Sequence, residues 1–423
     1  MTDVGDQPET EETEETDRTA SPAGVLRIPD FRKLWTNNIT YFMAMNALRF
    51  VFSWYVLDGL GLGEREQGYA VFALGIPAVF LILQAGVWAD RLDQRKLLIG
   101  SQVASAAIMA GTAILVSIDR APLTVVLASA ALAGAATTIS QPVRASLVPA
   151  LVPRTQLFGA IALNALAMTT SLILGPVVAR AVGAGFDFHG VFWFLALLLI
   201  GGTGLLRTLR VPAATEPAPE RRSVTAETID AVRHVLGDRA LRSLFLLLSL
   251  AGLTINPAVM ITLQAFVKSE LGRDSGDAAI LFAIMGVGLA ISSAFLMRKG
   301  DMKNKGAAFQ RALMVGSTMT ALMGLTTSFV QLFPLMFAMG LAGGFYINMN
   351  QGLIQAHTPQ PLMGRVMGLF SLVQLGFMPI GALVLGLIAN QVGIGVTMTG
   401  AAVLALAVVA VTYTTERELR VLS

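Results

Sequence analysis

The chain is a succession of apolar stretches, each long enough to cross a bilayer as a helix, with nearly all of its charge confined to the short gaps between them. A hydrocarbon core about 30 Å thick takes roughly 20 apolar residues per helical crossing. Inside lipid no water is available to the backbone, so each stretch must satisfy its own amides as a helix. Twelve stretches can be marked, at approximately 36–58, 67–88, 97–118, 122–142, 157–182, 189–208, 241–267, 276–297, 307–329, 332–356, 366–391 and 393–414. The expected fold class is an all-α membrane protein. Charged residues are 13% of 423 positions. An ordinary soluble domain has about 25%.

The gaps set an orientation. With the N-terminus inside, the inner gaps collect Arg91, Arg95, Lys96, Arg144, Arg154, Arg207, Arg210, Arg221, Arg222, Arg233, Arg239, Arg298, Lys299, Lys303, Lys305 and Arg365. The outer gaps receive Arg65, Arg120, Lys268 and Arg273, with Arg180 nearby. This asymmetry obeys the positive-inside rule and places both termini in the cytoplasm. The first 22 residues are acidic and rich in Thr and Pro. They are too polar to order themselves and are read as a disordered tail. The chain has no cysteine, which excludes disulfides and thiolate chemistry. His189, His234 and His357 lie far apart, with no spacing that suggests a metal site.

The longest gap splits the spans six and six. It begins with Pro212, Pro217 and Pro219 and then shows apolar residues at helical spacing, the pattern of a tether plus an amphipathic surface helix. The expected organisation is a tail at 1–30, a six-helix bundle at 31–208, a linker at 209–239, a second bundle at 240–415 and a short end at 416–423. The bundles resemble each other. GlnProValArgAlaSerLeuValProAlaLeuValPro at 141–153 precedes a helix holding Gly175 and Pro176. GlnGlyLeuIleGlnAlaHisThrPro at 351–359 precedes Gly364, Arg365 and a helix holding Pro379 and Gly381. Helices weakened at matching places in two repeats point to an alternating-access transporter.

The gap between the second and third spans reads Gly86-Val-Trp-Ala-Asp90-Arg91-Leu-Asp93-Gln-Arg95-Lys96. This resembles the signature cytoplasmic loop of the Major Facilitator Superfamily. It departs at Asp93, where the family at large prefers Gly. An acid there is familiar in the drug, macrolide and siderophore exporter branch. PheArgLysLeuTrp at 31–35, the GlnProValArgAlaSerLeuValPro loop and GlyArgVal at 364–366 resemble the same branch. The resemblance implies two pseudo-symmetric six-helix bundles and a latch. Asp90, at the end of the second helix, would face the positive N-terminal end of the eleventh, near Gly364 and Arg365. Arg91, Arg95 and Lys96 belong to that latch or serve as ordinary positive-inside anchors. Gly175 and Pro176 match part of the exporters' fifth-helix motif, where a bend is cheap because Pro removes a backbone bond. The Gly-Gly that usually follows is Ala179-Arg180 here. The exporters' intramembrane Arg of the fourth helix has no counterpart at Ser129–Gly134.

Charges at bilayer depth are costly and mark function. No carboxylate lies mid-span; Asp58 is nearest, at the outer end of the first helix. Arg49 is embedded in the first helix, and three readings are open: it binds an anionic group of a substrate, pairs with Asp58, or snorkels outward. Arg180 sits near enough to the outer edge that snorkelling is its default. In the family the first and fourth helices of each half line a central cavity. The resemblance therefore assigns Asn38, Tyr41, Asn46, Arg49, Trp54, Thr138, Gln141, Asn256, Gln264, Tyr346, Asn348 and Asn350 to substrate binding. Each has the alternative of an interhelical hydrogen bond. With nearby Met side chains, such a cavity suits a bulky amphipathic ligand.

The function implied is a secondary transporter exporting small amphipathic molecules by rocking its halves. The alternative is uptake or exchange of an organic anion with Arg49 as charge clamp. No catalytic constellation or nucleotide-binding loop is present, so neither an enzyme nor an ATP-driven pump is expected. The expected partners are a small-molecule substrate and the lipid bilayer of the plasma (inner) membrane, with a proton as candidate coupling ion. No nucleic acid, cofactor or metal is expected, and the chain is expected to act as a monomer.

Overall fold

The computed structural model describes residues 22–211, 224–299, 302, 304–359 and 362–422, and all regular structure among them is helical. Most of the acidic tail and the Pro-rich start of the linker lie outside the described residues. So do the side chains of Asp90 and Arg91.

Pro29, with no N–H to leave unpaired, opens α1 (Pro29–Trp54), which takes in the PheArgLysLeuTrp segment and ends in a π turn over Tyr55–Gly59. Then come α2 (Glu64–Arg91), α3 (Gln94–Ser117), α4 (Leu123–Ala150) and α5 (Leu157–Arg207). The linker contributes α6 (Val224–Gly237). The second half has α7 (Arg239–Ser269), α8 (Ala278–Lys299), α9 (Lys305–Met323), α10 (Leu332–Ala356), α11 (Met363–Val392) and α12 (Ile394–Thr415). Eight of these are long and apolar enough to span a bilayer. One of the eight, α5, breaks at Asp187 (φ 55°) and folds back, since Gly183 lies against Val191. The remaining long helices, α1, α2 and α9, have 26, 28 and 19 residues and carry more polar side chains.

Packing repeats between the halves. Helix α4 runs so close to α2 that a Cβ on Gly134 would lie 1.9 Å from the Leu74 carbonyl oxygen. In the second half α10 approaches α8 in the same way, with Gly340 placing a Cβ 2.0 Å from the Met285 carbonyl oxygen. Between the halves, α2 runs along α11 and α5 along α8. Small residues permit such approaches, and dispersion at short range holds them.

One end of the molecule carries both described chain ends and α6; the other carries the turns after α1 and α7 and the break at Asp187 within α5. At this far end a single apolar cluster runs through both halves, from Phe50, Trp54 and Leu57 to Phe266, Phe282 and Met398. At the terminal end each half keeps its own core: Phe31, Leu98 and Leu147 in the first, Leu244, Phe309 and Leu353 in the second. The core is thus joined at one end and divided at the other.

Candidate functional site

A cavity of about 200 Å³ lies between the halves, at mid-helix. From the first half, α1 contributes Met45, Asn46, Arg49 and Phe50, α2 Val71, Leu74, Gly75 and Ala78, and α4 Gly134, Thr137, Thr138 and Gln141. Helix α5 adds Leu172 and Pro176. From the second half, α7 contributes Met260 and Ile261, α8 Phe282, and α11 Gln374, Leu375, Met378 and Pro379. The prolines expected to bend α5 and α11 both face this space. Gly175 and Gly381 instead bring those helices against α1 and α7.

Arg49 is exposed although it sits mid-helix, because its side chain faces the cavity. Among the described residues it has neither a hydrogen-bond nor an ion-pair partner. Among the described residues no carboxylate lines the cavity. Asp58, one of the partners read from the sequence, is committed elsewhere. It accepts from the Ser275 amide at 3.0 Å and pairs with Lys268 at 3.2 Å. Asn46 donates one N–H of its Nδ2 to the Phe42 carbonyl at 2.9 Å. The Thr137 and Thr138 hydroxyls both donate to the Gly134 carbonyl.

Around the cavity's far end the halves are tied by polar contacts. Trp54 Nε1 donates to Asp274 at 3.0 Å, and Arg180 sits 3.6 Å from Asp274 and 3.4 Å from Asp277. Gln67 Nε2 reaches the Ile261 carbonyl at 2.8 Å, and Gln264 Nε2 the Phe50 carbonyl at 3.3 Å. The structure places Trp54 and Gln264 in this seal, outside the cavity wall. Arg180 corrects its reading as a snorkelling cation, for two carboxylates and the Trp54 face lie within its reach.

Arg144 is a second correction. Read as a loop cation, it sits inside α4 with 2% exposure. Its Nη1 donates to Asn37 at 2.7 Å and to Asn38, and its Nη2 donates to Gln102 at 3.0 Å. The guanidinium lies 3.7 Å from the Tyr41 ring centroid. Every one of these partners is neutral. Asn38 in turn donates to Asn164 at 2.9 Å, and the Tyr41 hydroxyl donates to the Thr137 carbonyl at 3.1 Å. Asn38 and Tyr41 therefore lie behind the cavity wall, in the interior of the first half. The signal that could have found Arg144 is its period: Thr137, Gln141 and Arg144 share one helical face.

The second half's polar residues form a separate group. The Tyr346 ring stacks on Phe309 at 5.8 Å, and its buried hydroxyl lies beside the Asn350 and Asn256 side chains. Asn256 is half-buried on α7. Asn348 is exposed and donates to the Gly344 carbonyl at 2.7 Å. None of these four lines the cavity.

At the terminal end the signature loop is partly described. Asp93 caps α3, accepting from the Lys96 amide at 3.1 Å, and Lys96 pairs with it at 3.8 Å. Arg95 donates to the carbonyls of Leu206 and Arg207 in the last turn of α5, where the regular helical ladder ends. Arg365 pairs with Asp230 of α6 at 3.5 Å. Gly86 and Gly364 have open space where a Cβ would stand. The proposed Asp90 contact falls on a side chain outside those described.

A lipid-spanning helical bundle, doubled in its packing and enclosing a cavity between its halves, is the architecture of a membrane carrier. The pattern of the Major Facilitator Superfamily matches residues 34–381, and the chain belongs to that family. An uncharacterized MFS-type transporter, YuxJ of Bacillus subtilis (strain 168), is 33% identical over 136 residues, 31% of this chain. The chain spans about a third of that relative's length (33%). Among solved structures, the nucleoside transporter NupG superposes with a TM-score of 0.72 at 16% identity, covering 92% of this chain and 99% of that one. A POT family transporter in complex with 5-aminolevulinic acid gives 0.73 at 12% identity, covering 92% and 96%. A bacterial homologue of the human lysosomal transporter Spinster, inward-facing and unoccupied, gives 0.70 at 14% identity, covering 92% and 96%. These likenesses are of fold.

Proposed function

We propose that the protein is a secondary active transporter that exports small amphipathic molecules across the plasma (inner) membrane by rocking its two halves. The observation that carries this reading is one cavity between the halves, tied shut at the far end by α1, α5, α7 and the turn before α8. With the positive-inside orientation the terminal end is cytoplasmic, so the cavity faces the cytoplasm and the far end is the outer gate. Its volume of about 200 Å³ suits a small molecule in this conformation. Pockets that take drug-sized ligands run to about 300–1,000 Å³. The exporter direction rests on the Gly86–Lys96 loop and the Gly175-Pro176 element. Asp90 remains the proposed inner latch, with Gly364 at the start of α11, and Arg95 and Arg365 serve as braces of that surface.

A second reading, exchange of an organic anion, is favoured by a specific observation: Arg49 faces the cavity and no carboxylate there neutralises it. Both readings are tested by flux in proteoliposomes, with an imposed pH gradient and a panel of dyes, macrolides, siderophores and phosphorylated anions. Exporter function predicts substrate movement that an imposed proton gradient accelerates. Movement that instead requires an anion on the opposite side identifies exchange. No flux of any panel member under either condition would count against both.

A further inference from the structure

We infer that the cavity binds an amphiphile with one anionic group in a fixed orientation, its anionic end on Arg49 and its apolar body against the second half. This rests on the transporter reading above and names the class of molecule that reading leaves open.

The cavity is chemically divided. Its polar side chains, Asn46, Arg49, Thr137, Thr138 and Gln141, all come from α1 and α4, with Gln374 as the exception on α11. The second half supplies Met260, Ile261, Phe282, Leu375 and Met378. A ligand lying across the interface therefore meets a charged donor and most of the neutral ones on one side, and mainly hydrocarbon and thioether on the other.

The donors that remain select the charge. One N–H of Asn46 and the two Thr hydroxyl protons are already used within the first half. What is left to donate is the Arg49 guanidinium, the second N–H of Asn46 and the Gln141 and Gln374 amides; Arg49 alone among them is charged, so an anionic group is matched and an ammonium is repelled. Arg144 strengthens the bias. Held only by neutral amides and the Tyr41 ring, it adds a positive charge to the same half, and Tyr41 lies near both cations. At low dielectric such charges act over longer range than in water. A guanidinium left unpaired at this depth is costly, and an anionic ligand relieves that cost.

The test uses the full chain in phosphatidylcholine nanodiscs, with octanoate, octanamide and octylammonium as probes of one skeleton and three charges. Binding is read calorimetrically against empty nanodiscs. Octanoate is expected to bind at least tenfold more tightly than octanamide, and octylammonium most weakly. Arg49→Gln should abolish the preference of octanoate over octanamide. Met378→Gln should weaken octanoate while keeping the preference. Extending hexanoate to octanoate should tighten binding by about fifteenfold, since each of the two buried methylenes contributes roughly 0.8 kcal/mol. Unaltered distances across the far-end seal would show that the Arg49→Gln chain is folded. Equal binding of octanamide or octylammonium, a charge preference that survives Arg49→Gln, or no octanoate binding at all would overturn the inference. Flux and charge preference fail separately. A protein that moves only uncharged substrates loses the anionic site and keeps the transporter. A protein that binds octanoate and moves nothing does the reverse.

Discussion

Arg49 and Arg144 are the two residues whose positions carry the most consequence. One faces the cavity without a partner among the described residues, and the other is enclosed by amides. Arg49 was legible in the sequence because a cation amid ThrTyrPheMetAlaMetAsnAlaLeuArgPheValPheSerTrpTyr has no gap to belong to. Arg144 was not, because Pro142 and Pro149 on either side read as helix breaks, whereas α4 continues through both. Neighbouring helices can restore what proline removes within a membrane. Arg144→Gln should markedly lower the thermal stability of the detergent-solubilised protein. It strands the buried amide oxygens of Asn37 and Asn38, each worth about 1–3 kcal/mol when left unpaired, while Gln102 Oε1 keeps the Asn37 amide. Arg144→Lys should rescue only part, since an ammonium lacks the planar fork that reaches all three. A melting temperature unchanged in Arg144→Gln would show that the network adds no stability.

Among elements, the pairs α2–α4 and α8–α10 depend on glycine at the crossing. Gly134→Ala and Gly340→Ala each place a Cβ within about 2 Å of a backbone oxygen (1.9 and 2.0 Å). The helices must separate, and overpacking of this kind costs about 1–3 kcal/mol. Gly100→Ala and Gly111→Ala on α3 meet nothing within 4 Å and should leave stability unchanged or slightly improved. Chemical or thermal unfolding of the four variants checks this; equal loss in all four would remove crossing distance as the cause. Most helix positions could be read from hydrophobic runs alone, and the gap read at 183–188 contains the break at Asp187. Their exact ends could not. Helix α4 runs two turns past the boundary expected near residue 142, and α1 begins at Pro29, ahead of the apolar stretch it contains. Hydropathy marks where lipid begins, and helices continue past that point wherever protein packing supports them.

For the whole molecule the decisive feature is a core joined at one end and divided at the other. The joined end is held by Asp58, Trp54 and Arg180 from the first half and Lys268, Asp274, Ser275 and Asp277 from the second. The combined variant Asp58→Asn with Arg180→Gln should lengthen spin-label distances between the turns after α1 and α7 and shorten those across the terminal end. Distances unmoved at both ends would show that the apolar cluster alone closes this side. The amino-acid sequence by itself determined the membrane, the helices, the doubling and the presence of an embedded cation, Arg49, because periodicity and hydropathy are local properties of the chain. Only the tertiary structure decided which polar groups share a space. It put Trp54 and Gln264 in a seal, Asn38 and Tyr41 around Arg144, and Asn46, Arg49 and Gln141 in the cavity. Those assignments depend on how far each helix is rotated about its axis, which is settled by packing between segments hundreds of residues apart.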